Sequence, residues 1–264
     1  MKIIESRNNP VIKRALKALS NPNAENLIVV EGNKLLGEAL KSGATPEMIF
    51  VENEDNGLHR TLRMLAIKDS INFDNITYII SRGLMRELST VQTPSEIITF
   101  LKPALSQNLE DIVNDSEMLV VLDRLQDPGN IGTIMRTSEA MGASAIILLK
   151  DCCNPNNHKV IRAAMGSSFR LPFIYNVDVQ KLFSILNKNG YMTICADMKG
   201  TILKDFKFSK KSAIFMGQEG KGLSDFIIKN CKFRVSIPMC GQVESLNVAT
   251  STAICLYEWA RKRN

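Results

Sequence analysis

Three short stretches hold the polar residues best placed for chemistry. Asp127-Pro128-Gly129-Asn130-Ile131-Gly132 follows the apolar run VVLD and opens a helical pattern that carries Arg136. Gly217-Gln218-Glu219-Gly220-Lys221-Gly222 follows AIFM, and Gly241 to Asn247 follows VSIP. Each is a glycine-bearing turn after a strand-like run. Ligands of an open α/β sheet bind beyond the carboxyl ends of its strands, so the three turns are candidates for one shared pocket. In the third, Glu244, Ser245 and Asn247 stand where a loop becomes a helix, and main-chain N–H groups at such a junction are free to bind. The plainer alternative is a capped helix, with Ser245 or Asn247 as N-cap and Val248, Ile254, Leu256 and Trp259 packing inward.

Phosphate-loop chemistry finds no support. The chain lacks G-x-x-x-x-G-K-[ST], and no G-x-G-x-x-G links a strand to a long helix with an acid about 20 residues on. Metal chemistry is equally unsupported, because His59 and His158 lie far apart and the six cysteines include no C-x-x-C. The cysteines read as reduced, mostly buried thiols, with Cys152 and Cys153 in a polar segment open to exposure.

Positioning three strand-end turns requires a sheet, and the chain alternates accordingly. VIKRALKALS places Val11, Ile12, Ala15, Leu16 and Leu19 on one helical face, with Lys13, Arg14 and Lys17 opposite, before a turn at Asn21-Pro22-Asn23. LIVVEG, MIFVEN, ITYIIS and IITFLK read as strands. Between them helices are expected through Leu35–Leu40, over TLRMLAIK and around Leu84–Leu88. This is a compact α/β domain over residues 1–102. Residues 103–117, with four acids and no apolar periodicity, read as a linker. From 118 to 264 the alternation resumes, with strands MLVVLDRL, AIILLK, LPFIYNV, YMTICAD, SAIFMG and FRVSIPM separated by helices, which argues for a mostly parallel sheet.

Charge is unevenly spread along these parts. Residues 118–264 carry 20 Lys/Arg against 11 Asp/Glu, whereas residues 1–101 carry 12 of each. The excess therefore lies with the candidate pocket, and a basic domain favours a polyanionic partner such as RNA. No apolar run approaches the roughly 18 residues of a membrane span, and the N-terminus lacks the pattern of a signal peptide, so the expected compartment is the cytoplasm.

Taken together, the three turns resemble the SpoU (TrmH-type) family of RNA ribose 2′-O-methyltransferases, within the SPOUT superfamily. The match lies in N-x-G-x-x-x-R at Asn130, Gly132 and Arg136, in M-G-x-E-G-x-G-L from Met216 to Leu223, and in I-P-M-x-G-x-x-x-S-L-N-V from Ile237 to Val248. VVEGNKLLGEAL is similar to the opening of the RNA-substrate-binding module often fused to this family, whose fold is like that of an RNA-binding ribosomal protein. Ala249 departs from the serine that many members carry there.

The resemblance implies a small N-terminal ribosomal-protein-like α/β module followed by a SPOUT α/β domain with a deep trefoil knot, one of the rare exceptions to unknotted topology. It implies S-adenosylmethionine as cofactor, no metal, a homodimer with the active site near the subunit interface, and ribosomal RNA ahead of tRNA as substrate. Arg136 matches the family's reactive arginine. Asn130, Glu219, Ser245 and Asn247 match its other polar site positions, and Gly217, Ile237 and Leu246 its largely main-chain contacts to the cofactor. Lys221 is a candidate for RNA phosphate. The alternative reading is a non-catalytic RNA-binding or ribosome-assembly factor of the same fold.

Overall fold

The computed structural model describes residues 1–21, 25–52, 73–103, 108–243 and 245–263. Pro22, Asn23, the TLRMLAIK segment and Glu244 lie outside the described residues. The chain forms two compact units, Met1–Ser106 with Asn156–Arg162, and Gln107–Pro155 with Ala163–Asn264.

The first unit is a mixed five-stranded sheet. Its strands are β1 (Lys2–Ile4), β2 (Ile28–Glu31), β3 (Thr45–Val51), β4 (Thr77–Ile80) and β5 (Ile97–Lys102), in the order β1-β4-β3-β5-β2. β1, β4 and β3 run parallel, while β5 is antiparallel to both β3 and β2. The helices are α1 (Pro10–Ser20), α2 (Asn33–Lys41), α3 (Phe73–Ile76) and α4 (Arg82–Leu88). Asn9 caps α1 by accepting from the Val11 N–H, and Pro10 occupies its first turn, where a missing N–H does no harm. α1 buries Ile12, Ala15 and Ala18 against a core in which Phe50 and Phe100 meet edge to face, centroids 5.9 Å apart.

The second unit is a six-stranded, wholly parallel sheet. Its strands are β6 (Met118–Asp123), β7 (Ala145–Leu149), β8 (Phe173–Val177), β9 (Met192–Ile202), β10 (Ser212–Gly217) and β11 (Phe233–Ser236), in the order β11-β9-β10-β6-β7-β8. From β6 the chain lays down β7 and β8 on one side, then crosses to build β9, β10 and β11 on the other. The order reverses between β6 and β10, and an open parallel sheet forms its ligand crevice at such a point. Its helices are α5 (Leu109–Asp115), α6 (Pro128–Ala140), α8 (Ser167–Arg170), α9 (Val179–Lys188), α10 (Asp225–Asn230) and α11 (Val248–Arg263), while α7 (His158–Ala164) belongs through Arg162 to the first unit. α6 and α11 pack on each other.

Several expectations are corrected here. Residues 103–117 do not form a uniform linker: Leu109, Ile112 and Val113 lie on the inner face of α5 and join the core of the second unit. Tyr191 fastens this segment, its buried hydroxyl reaching the carbonyls of Val113 and Ser116 at 2.8 and 2.5 Å. The stretch from Pro128 to Gly132 is the first turn of α6 and not a loop, since Asp127 Oδ1 accepts from the Asn130 N–H at 2.7 Å and Pro128 fits the start of a helix. Cys152 is buried, its thiol donating to the Leu122 carbonyl at 3.3 Å, and burial pushes its pKa up to about 11. Cys195 and Cys255 are also buried, Cys153 and Cys231 half-buried, and Cys240 exposed. Among the described residues no helix is long and apolar enough to cross a membrane.

Candidate active site

The three turns do converge. β6 and β10 lie side by side with Gly217 opposite Asp123, so the turns that follow them leave the same edge of the sheet. Asn130, in the first turn of α6, donates through Nδ2 to Glu219 Oε1 at 3.0 Å. Asn247, at the head of α11, donates through its own Nδ2 to the same Glu219 oxygen at 2.6 Å and to Asn130 Oδ1 at 2.9 Å. One residue from each turn thus enters a single contact cluster. Asn247 also caps α11, its Oδ1 accepting from the N–H groups of Ala249 and Thr250 at 2.8 and 3.3 Å. The capped-helix alternative is therefore correct as local structure, but it uses only one end of the amide.

Beside the cluster lies a crevice of about 470 Å³, within the range of small-molecule sites. Gly217, Ile237 and Leu246 line it, as do Glu219 and Ser245. Val235, Leu223 and Val248 add apolar wall, while the turn from Gly217 to Gly222 supplies main-chain edges. That mix suits a ligand with a flat heteroaromatic ring and a polar tail. The turn is tight: a Cβ on Gly217 would stand 2.3 to 2.5 Å from the main chain of Gly222 and Leu223, so only glycine lets the two ends of the turn touch. The Gly222 N–H donates to the Gln218 carbonyl at 3.0 Å, and Gly220 and Gly222 take positive φ of 82° and 63°.

Arg136 is not part of this wall. It is exposed on α6, six residues and about 9 Å along the helix axis from Asn130, and its guanidinium has no hydrogen-bond or ion-pair partner among the described residues. Lys221 is exposed at the crevice. Ala196, Asp197 and Met198 also line the crevice, because β9 runs on past Asp197 to Ile202, and no motif in the sequence marks them.

Comparison with known proteins agrees with this geometry. The sequence model of the SpoU rRNA Methylase family matches residues 117–257, and that of the MRM3-like substrate binding domain matches residues 9–99. The chain is 28% identical to the 23S rRNA guanosine 2′-O-methyltransferase RlmP of Bacillus subtilis, covering 97% of this chain and 98% of that protein. It is 34% identical to the 23S rRNA guanosine 2′-O-methyltransferase RlmB of Neisseria meningitidis serogroup B, over 82% of this chain and 87% of that protein. Among solved structures, an AdoMet-bound rRNA methyltransferase from Sinorhizobium meliloti superposes with a TM-score of 0.85 at 26% identity, covering 99% of this chain and 98% of that one. With the family's pattern matched over more than half its length and its three motif turns gathered at one sheet edge, the chain belongs to the SpoU rRNA methylase family.

Proposed function

We propose that this protein transfers the methyl group of S-adenosylmethionine to a ribose 2′-hydroxyl of RNA, with 23S ribosomal RNA as substrate, and that it does so as a homodimer. The observation that carries the reading is the contact of Asn130, Glu219 and Asn247 beside a crevice lined by Gly217, Ile237 and Leu246. A module that only bound RNA would have no need of that constellation. The names of RlmP and RlmB support ribosomal RNA, and the AdoMet-bound relative supports the cofactor.

S-adenosylmethionine supplies a sulfonium methyl whose positive charge disappears on transfer. The chain's own residues do the rest. Leu223, Ile237 and Leu246 would hold the apolar part of the bound donor, and main-chain groups from Gly217 to Gly222 would offer hydrogen bonds to its polar part. Glu219, fixed by two amide donors, holds Asn130 and Asn247 in one orientation at the mouth, where Ser245 completes the rim. A sugar hydroxyl is a poor nucleophile: as it attacks, the O–CH3 bond forms while the S–CH3 bond breaks to a neutral thioether, negative charge develops on oxygen, and the hydroxyl proton passes to solvent. Arg136 carries a cationic guanidinium with donors and no acceptor, so its role is to clamp an RNA phosphate and stabilise the emerging alkoxide. In this reading the exposed outer side of α6 around Arg136 is the face a second copy would cover. Residues 1–102 act in this reading as the RNA-substrate-binding part.

The test is methyl incorporation. Purified protein with radiolabelled donor should label 23S rRNA, and mapping of ribose methylation in cells with and without the gene should show one 2′-O-methyl group lost. Label in tRNA alone would overturn the substrate, and no label in any RNA would overturn the reaction.

A further inference from the structure

The end of β6 carries a pair that the mechanism above does not use. Asp123 closes a strand whose other residues are all buried, and it is itself only 4% exposed. A carboxylate removed from water needs charge and hydrogen bonds in return. Arg124, the next residue, provides them: its Nε donates to Oδ1 at 3.2 Å and its Nη2 to Oδ2 at 3.1 Å. Neighbouring residues of a strand point to opposite faces, so this embrace requires a backbone twist. Arg124 takes φ of 57°, a left-handed conformation that strains any residue with a Cβ.

The pair reaches across to the second motif turn. Asp123 Oδ2 also accepts from the Ser224 N–H at 2.8 Å, and Arg124 Nη2 donates to the Gly222 carbonyl at 3.3 Å. At the other end of that turn, Gly217 is the strand partner of Asp123. Both ends of the crevice-lining turn are therefore anchored to one dipeptide, and the turn carries Glu219 at its apex. We propose that Asp123 and Arg124 are positioning residues: a fork that holds the 217–224 turn closed, so that its main-chain groups meet the methyl donor and Glu219 reaches Asn130 and Asn247. This rests on the reading of the crevice as the donor site. Arg124 touches no reacting atom, and its effect passes through the turn.

A role confined to folding makes different predictions. Arg124→Ala removes the fork and keeps the backbone strain, whereas Arg124→Gly removes the fork and relieves the strain. Arg124→Lys keeps the charge but cannot grip the carboxylate and the Gly222 carbonyl together. Calorimetric binding of S-adenosylmethionine, the KM and kcat of methyl transfer, thermal melting, and amide hydrogen exchange across 218–224 are measured for each. Expected are faster exchange in the turn and a tenfold or greater loss of donor affinity in both Arg124→Ala and Arg124→Gly. KM for the donor rises in step, and kcat at saturating donor falls by a smaller factor, because Glu219 then meets Asn130 and Asn247 less often. Arg124→Gly melts higher than Arg124→Ala without recovering affinity, and Arg124→Lys falls between. Asp123→Asn should reproduce the affinity loss if it folds.

Wild-type affinity in Arg124→Gly, or unchanged exchange in the turn, would overturn the fork while leaving the crevice reading intact. A wild-type protein that fails to bind S-adenosylmethionine would sink the crevice reading itself. The exchange measurement would still decide whether the fork holds the turn.

Discussion

Arg14 on α1 and Arg136 on α6 occupy comparable places, each on the outer side of a helix whose other side enters a core. Arg14 is bound on two sides, its Nε to Glu25 at 3.2 Å and its Nη2 to Glu47 at 3.1 Å, while Lys17 and Lys102 share the same two acids. Arg7 is tied to Glu87 at 2.8 Å. Arg136 has no such partner among the described residues. The strand ends repeat the contrast. Glu31, closing β2, collects the Ser89 hydroxyl and both the N–H and hydroxyl of Thr90, and so completes a local network. Glu219, just past β10, joins residues from two other turns at the mouth of a crevice. Positive charge in a sequence therefore does not by itself mark an anion site. In the first unit Arg7, Arg14 and Lys17 of the basic arm hold the unit's own acids, whereas Arg136 on α6 carries no such pair among the described residues.

The contrast breaks most readily at Arg136. Arg136→Ala should leave donor binding nearly intact and lower methyl transfer by about 10² to 10³, the usual loss when one preorganised charge is removed from a developing oxyanion. Single-turnover kinetics with calorimetry on the same protein reads both numbers. Turnover near the wild-type rate would place Arg136 in the same class as Arg14.

A smaller effect separates the two jobs of Asn247. Asn247→Asp keeps an oxygen to cap α11 and adds negative charge at a helix N-terminus, which favours the fold. It also removes the amide donor and sets a second carboxylate against Glu219, so the pair should share a proton and one of the two should titrate upward. The expected outcome is an unchanged or higher melting temperature with transfer down about tenfold at neutral pH, in line with loss of a hydrogen bond to a charged group. Transfer should recover partly as pH falls and the shared proton binds. Asn247→Ala loses the cap as well and should destabilise by about 1 kcal/mol. Wild-type activity in Asn247→Asp beside a loss in Asn247→Ala would mean that capping is the whole role of the residue.

Much of this arrangement can be read from the chain, because the features concerned are local. Strand-like runs such as MLVVLD, buried throughout, and SAIFMG, buried up to Gly217, follow their composition, and the motif turns fall at their ends. What escapes notice depends on distant partners or on a few residues. α5 hides three apolar positions among acids, so its inward face becomes evident only against the core that receives it. β1 is three residues long and is defined by pairing with β4 across more than 70 positions. Asp123 does leave a trace, as an acid closing an apolar strand, but its value depends on Ser224 and on Arg124 adopting a positive φ, neither of which spacing shows. Cys152 looks exposed by its neighbours and is buried because its thiol turns in toward the Leu122 carbonyl.

The smallest expected effect is at Arg14. The Lys102 hydrogen bond, then that of Arg14, holds the Glu47 carboxyl below its ordinary value of 4.5, and Lys17 followed by Arg14 does the same for Glu25. A folded-state pKa depressed in this way contributes stability that is present above the unfolded value and disappears as pH falls through the folded one. Arg14→Ala should therefore lower the melting temperature at pH 7 by on the order of 2 °C, since exposed pairs are weakened by solvent and salt. The deficit should shrink as pH drops below 4.5 and both acids protonate in wild type and variant alike. Methyl transfer and RNA affinity at neutral pH should not change, because the guanidinium is already engaged by the unit's own carboxylates. A loss of RNA binding in Arg14→Ala as large as that in Arg136→Ala would show that the arm exchanges its internal partners for phosphate, and the distinction between the two arginines would no longer stand.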